Sequence, residues 1–257
     1  MSLAKFEFDE KDSSIHIKGS TYNSENLSKL SKLILEINNN SKIKNVKFFG
    51  NFKSSFMSKD FIISNQNKND LEKSLIFFYS ITNSIENSNI NFSCHLEGLA
   101  KGPALELAIA CNYIQAEKNT TFEFNEVNNG LIFMFGSIQR LLRILGYKNT
   151  LELLLIKNRL NHKEATDFEF INKYQDRSFR FKKNNIFWNE YFTNTFIYYN
   201  SKVHAKTKNR LPAYNAILSS IFEGCLCGYE ASLSVERKWV QWLLSHEYTL
   251  QRANLLT

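Results

Sequence analysis

Asn91-Phe92-Ser93-Cys94-His95-Leu96-Glu97-Gly98-Leu99-Ala100-Lys101-Gly102-Pro103-Ala104-Leu105-Glu106-Leu107-Ala108-Ile109-Ala110-Cys111 is the stretch that decides the fold. Asn91 to Leu96 alternates polar and apolar side chains, the period of a strand. Ala104 to Cys111 then reads as a helix, entered through Gly102-Pro103. Proline suits that entry because its fixed φ matches the first helical turn, where an N–H has no partner within the helix. Tyr113 to Ala116 and Thr121 to Phe124 follow as short strands. Alternating strand, helix and strand calls for crossover connections, hence parallel strands with helices packed against them.

The same alternation extends toward the N-terminus. Lys5 to Phe8 and Ser14 to Lys18 read as a hairpin, and Val46 to Phe49 as a strand. Ser24 to Asn38 carries Leu27, Leu30, Leu33, Ile34 and Ile37 at helical spacing, with Ser24 as the expected N-cap. Asp70 to Ser88 is a second helix. Beyond the opening stretch, Ile138 to Leu145 and Thr150 to Leu155 read as two helices. From Ile186 the pattern is helical only, with Ala213 to Gly224 and Glu230 to His246 as the clearest segments. The expected division is an α/β core over 1–185 and a helical C-terminal region over 186–257.

Composition narrows the class. Of 257 residues, 43% are hydrophobic and 22% charged, which is enough for a folded core and argues against global disorder. No apolar run approaches the ~20 residues that span a bilayer, and the start of the chain lacks a secretory core, so a cytoplasmic protein is expected. Net charge is +7. Basic residues gather mildly at Arg177 to Lys183 and Lys202 to Arg210, without a nucleic-acid-binding motif, so nucleic acid is not an expected partner. Four cysteines are too few for a disulfide scaffold, and Cys225 and Cys227, two apart, do not share a helix face as metal ligands should. The five histidines show no HxxxH or HExxH spacing, and no metal is expected.

Leu96 to Ala108, through its Gly98, Ala100, Gly102 and Glu106, resembles the glycine-rich element of the enoyl-CoA hydratase/isomerase (crotonase) family. The resemblance continues in one register. Phe124-Asn125-Glu126-Val127-Asn128-Asn129-Gly130-Leu131 is similar to the family's second acidic element, with Asn125 in place of a proline. Phe135-Gly136-Ser137-Ile138-Gln139-Arg140-Leu141-Leu142-Arg143-Ile144-Leu145-Gly146 and Asn158-Arg159-Leu160-Asn161-His162-Lys163-Glu164-Ala165 match the elements that follow. Leu211-Pro212-Ala213-Tyr214, Phe222-Glu223-Gly224 and Gly228 to Arg237 resemble the tail of the hydratase part of the fatty-acid-oxidation multienzyme alpha subunit. The resemblance implies an α/β fold of stacked β-β-α turns, a crotonase-like superhelix, with a helical C-terminal region. It also implies a homo-oligomer, commonly a trimer, acting in fatty acid metabolism on acyl-CoA or enoyl-CoA thioesters. CoA enters as the substrate's carrier moiety and no other cofactor is implied. No dinucleotide-binding glycine motif is present, so the dehydrogenase chemistry of the larger multienzyme is not expected.

Glu106 and Glu126 stand 20 positions apart, separated by a helix and a strand pair, a path that can turn both toward one cleft. Two carboxylates suit the addition of water to a double bond, one activating the water and the other moving a proton at the adjacent carbon. Read alone, Glu106 is equally a first-turn acid favoured by the helix dipole, and Glu126 an exposed loop acid. The resemblance makes them the catalytic pair, Glu106 holding the water and Glu126 donating at the α-carbon. It also implies two backbone N–H donors for the thioester oxygen, set among Gly102, Pro103 and Ala104 on one side and Met57 and Ser58 on the other. Residue 103, where the first donor belongs, is proline and has no N–H. Ala104 is the reserve donor, Met57 the second, and Ser58 stands where the family has glycine. Phe133-Met134 replaces a Pro-Gly pair, and Phe133 either narrows an acyl pocket or packs in the core. The alternative function is an impaired acyl-CoA-binding or regulatory homologue without an intact oxyanion hole.

Overall fold

The computed structural model describes residues 2–54, 68–175, 190–249 and 251, and its contacts group the chain into two units. One comprises Met1–Glu123 with Leu160–Gln175, the other Phe124–Arg159 with Asp176–Thr257. The expected division at 185 followed the run of secondary structure. Contacts instead group residues 124–159 with the C-terminal helices.

Among the described residues, the first unit holds a five-stranded sheet in the order β1 (Lys5–Asp9), β2 (Ser14–Lys18), β3 (Asn45–Gly50), β4 (Asn91–Leu96) and β6 (Tyr113–Ala116). The hairpin β1–β2 is antiparallel and every later pairing is parallel, as the crossovers require. The register aligns Ile15, Phe48, Cys94 and Ile114 across four strands, and all four side chains are buried. Helix α1 (Ser24–Asn39) lays Leu27, Leu30, Ile34 and Ile37 into this unit's core, and α2 (Lys68–Glu86) packs beside it. The N-cap is Asn23 rather than the expected Ser24. Asn23 Oδ1 accepts the Asn26 N–H and Asn26 Oδ1 accepts the Asn23 N–H, each at 2.9 Å, a reciprocal box that serine followed by its own neighbours cannot close.

A second, small sheet has the order β5 (Leu99–Lys101), β7 (Thr121–Glu123) and β8 (Arg159–Asn161). Between β5 and β6 lies α3 (Pro103–Ala110), whose eight residues are all buried. Apart from Glu106 its side chains are apolar all round, the pattern of a core helix.

The second unit is built on α4 (Ser137–Glu152), α6 (Glu190–Thr207), α7 (Pro212–Leu226) and α8 (Tyr229–Ser245), with the short α5 (His162–Asp167) belonging to the first. The two helices expected over 138–155 meet at Gly146, whose φ of 76° breaks the α4 backbone without ending it. Gln139, fully buried, donates through Nε2 to the Ser220 carbonyl at 2.9 Å and hydroxyl at 3.0 Å, tying α4 to α7. A Cβ on Gly224 would stand 2.3 Å from Gln139 Oε1, so a side chain there would push the Gln139 amide out of its place. Arg143 donates to the Gly224 carbonyl and sits over the Tyr229 ring.

Glu236 of α8, fully buried, takes the place of an N-cap for α4: its oxygens accept the Gly136 N–H at 2.8 Å and the Gln139 N–H at 3.0 Å. Burial raises this carboxyl from 4.5 to about 7, while the Gln139, Gly136 and Ile138 N–H groups and the Arg140 charge pull it back in part. A carboxyl that titrates higher in the folded chain favours folding most below 4.5, and that contribution is lost as pH rises through about 7. Stability is therefore expected to fall by about 3 kcal/mol from this group across that window. Glu236→Gln, which cannot ionise, is expected to flatten the slope when urea unfolding is followed at a series of pH values. Equal slopes in the two proteins would remove Glu236 as the cause.

Candidate active site

Gly102, Pro103, Ala104 and Glu106 stand together at the start of α3 in the first unit. Gly102 is the N-cap at φ 65°, ψ −148°, a region that essentially only glycine occupies. Pro103 takes the first helical position, as expected. The Glu106 N–H closes the first turn on the Gly102 carbonyl at 3.0 Å. Its side chain is 1% exposed in a helix otherwise made of Pro, Ala, Leu and Ile. A carboxylic acid so placed is uncommon, because burial penalises its charge. Glu106 is thus the first-turn acid that sequence alone allowed, and it is buried there.

Ala104, the reserve donor, is already engaged. Its N–H donates to Ser54 Oγ at 2.9 Å, and Ser54 Oγ donates in turn to the Lys101 carbonyl at 3.0 Å. Ser54 is 2% exposed and follows β3 in a segment that runs beside β5, where Lys53 bridges Lys101. Sequence reasoning missed it, since a single serine 50 positions from its partner carries no spacing signal. Met57 and Ser58, expected on the other side of the thioester, lie outside the described residues.

Glu126 and Phe133 belong to the second unit. Glu126 opens a 3₁₀ turn, Glu126–Asn129, that ends at Gly130 with φ 80°. Its carbonyl accepts the Leu131 N–H at 3.0 Å. At 9% exposure it is not the exposed loop acid that sequence alone allowed. Two further residues hold this turn. Tyr214 Oη donates to Asn128 Oδ1 at 3.4 Å and accepts a hydrogen bond from Lys206 Nζ at 2.8 Å, and the buried Thr249 Oγ1 donates to the Gly130 carbonyl at 3.0 Å. Tyr214 lies in the quoted Leu211-Pro212-Ala213-Tyr214 element, so its signal was present in the sequence though its task was not. Phe133 is 2% exposed and meets the Phe124 ring edge-on at 5.7 Å. Of the two readings open for it, core packing is the one this geometry favours.

Among the described residues no three His, Cys, Asp or Glu side chains converge as metal ligands, and no helix is long and apolar enough to cross a membrane.

A family model described as enoyl-CoA hydratase/isomerase matches residues 32–225, most of the chain, and the protein belongs to that family. Over 78 residues it is 31% identical to the peroxisomal Delta(3,5)-Delta(2,4)-dienoyl-CoA isomerase of Arabidopsis thaliana, covering 30% of this chain and 28% of that one. Over 85 residues it is 32% identical to the peroxisomal fatty acid beta-oxidation multifunctional protein AIM1 of the same plant, covering 33% of this chain and 12% of that one. The matched stretches thus span less than a third of these relatives' length. The crystal structure of an enoyl-CoA hydratase from Bacillus halodurans superposes with a TM-score of 0.66 at 18% identity, over 99% of this chain and 100% of that one. The fold is accordingly the crotonase fold, with a helical C-terminal region.

Proposed function

We propose that the protein acts on enoyl-CoA thioesters as a hydratase or isomerase, with Glu106 and Glu126 as its acid/base pair. The observation that carries this reading is the burial of both carboxylates that the family register singles out, at 1% and 9% exposure. In hydration, Glu106 holds water and takes its proton as the oxygen attacks the β-carbon. Glu126, protonated at the start, delivers its proton to the α-carbon, and the proton taken up by Glu106 returns through solvent to Glu126, so that each turnover adds H and OH and leaves both acids as they began. Isomerisation needs only the proton steps. CoA is the carrier moiety of the substrate, and a homo-oligomer, a trimer in the family manner, completes the proposal. None of the four cysteines is in a disulfide, which fits a reducing compartment, the cytoplasm among them.

One observation favours a second reading, an acyl-CoA-binding homologue with little turnover. Pro103 has no N–H and the Ala104 N–H is bonded to Ser54, so the α3 side of the site offers the thioester neither donor in this geometry. Losing one oxyanion donor costs ~10²–10³ in rate. The test is a crotonyl-CoA hydration assay run beside calorimetry with acetyl-CoA. Hydration is expected, at a rate below that of an enzyme with an open donor. Binding without hydration selects the second reading, and neither binding nor hydration ends both.

A further inference from the structure

Ser54 is a buried polar side chain for which the acid/base pair has no use. Its hydroxyl is 2% exposed and engaged on both sides, accepting the Ala104 N–H at 2.9 Å and donating to the Lys101 carbonyl at 3.0 Å. Its own N–H approaches the same carbonyl at 3.3 Å. The β5 strand that supplies Lys101 and the α3 helix that begins at Pro103 are thus stitched together by one side chain. Any acyl oxygen seeking the Ala104 N–H must compete with an acceptor already in place. That competition is uneven, because the serine is held by the chain and gives up little freedom to stay.

We propose that Ser54 is a positioning residue that locks the start of α3, withholding the Ala104 N–H from the thioester oxygen and so limiting turnover. The lock rests on the acyl-CoA reading. It predicts that the protein binds acyl-CoA with the catalytic acids in place yet reacts slowly, because the developing enolate oxygen has no donor from α3 until Ser54 Oγ lets go. Removing the hydroxyl frees the N–H without adding bulk. Threonine keeps the hydroxyl and should keep the lock.

The experiment compares wild type, Ser54→Ala and Ser54→Thr for kcat and KM of crotonyl-CoA hydration, for acetyl-CoA binding by calorimetry, and for hydrogen exchange at the Ala104 amide. Ser54→Ala is expected to raise kcat ~10²-fold, the lower end of the range of one donor, with KM changed less than about twofold and with faster Ala104 exchange. Ser54→Thr is expected to behave as wild type. A folded Ser54→Ala protein with equal or lower kcat overturns the lock. Should Ser54→Ala not fold, the wild-type Ala104 amide decides: a resonance that shifts when acetyl-CoA saturates the protein shows the N–H already available, and the lock falls, whereas an unmoved resonance upholds it. Binding of acetyl-CoA by all three proteins without hydration by any overturns the lock and leaves acyl-CoA recognition standing. Absence of acetyl-CoA binding in all three removes the acyl-CoA reading itself, and the lock with it.

Discussion

Glu126→Gln is expected to lower crotonyl-CoA hydration by ~10²–10⁴-fold, the range over which a positioned general acid or base acts, and Glu106→Gln is expected to do the same. The substitution keeps the shape of the side chain and removes its ability to exchange a proton. Acetyl-CoA affinity, measured on the same preparations, should move little, since neither acid is asked to hold the carrier. The two positions differ in what else they do. Glu106 closes the first turn of α3 through its own N–H on the Gly102 carbonyl, a bond that Glu106→Gln keeps. Glu126 starts a turn whose backbone bonds run through its own carbonyl to the Leu131 N–H, and those do not depend on the carboxylate. Loss of activity together with a lower midpoint would therefore point to misfolding rather than chemistry. Full activity in either variant would remove that residue from the acid/base pair.

What was legible in the sequence follows the strength of local signals. The parallel sheet could be read because β3, β4 and β6 alternate and because helices stand between them. Strands β5 and β8, three residues each, are too short to show a period, and only pairing with β7 makes them strands. The apolar neighbours of Glu106 already point to a core helix, while the motif register was needed to single the acid out. Contacts at long separation stayed hidden. Glu236 caps α4 from 100 positions away, and Ser54 reaches Ala104 across 50. The quoted Gly136 to Gly146 and Gly228 to Arg237 elements were recognisable as motifs. Their use is structural: Gln139, Arg143, Gly224 and Glu236 bind α4, α7 and α8 to one another. That mutual dependence is why residues 124–159 join the C-terminal helices and not the sheet that precedes them in the chain.

Pro103→Gly is expected to raise the hydration rate by up to ~10²–10³-fold, by returning a backbone N–H to the position where the family places its first oxyanion donor. It should also lower stability. Pro103 occupies the first position of α3, where its ring holds φ near the helical value, and glycine must be ordered there from many more conformations. The cost is about 1 kcal/mol, which for a chain of this size lowers the midpoint by ~2–4 °C. Rate and stability thus move in opposite directions, which distinguishes a restored donor from a general improvement in folding. Ser54 makes the prediction sharper. With Ala104 N–H still held by its hydroxyl, the gain in Pro103→Gly must come from residue 103 itself. Adding Ser54→Ala to Pro103→Gly should then give less than the product of the single gains, because both supply a donor to one oxygen. A wild-type rate equal to that of Pro103→Gly would mean that the missing N–H limits nothing. If Pro103→Gly and Ser54→Ala are both as inactive as wild type while acetyl-CoA still binds, the defect lies away from α3, and the acyl-CoA-binding reading takes precedence over the enzyme.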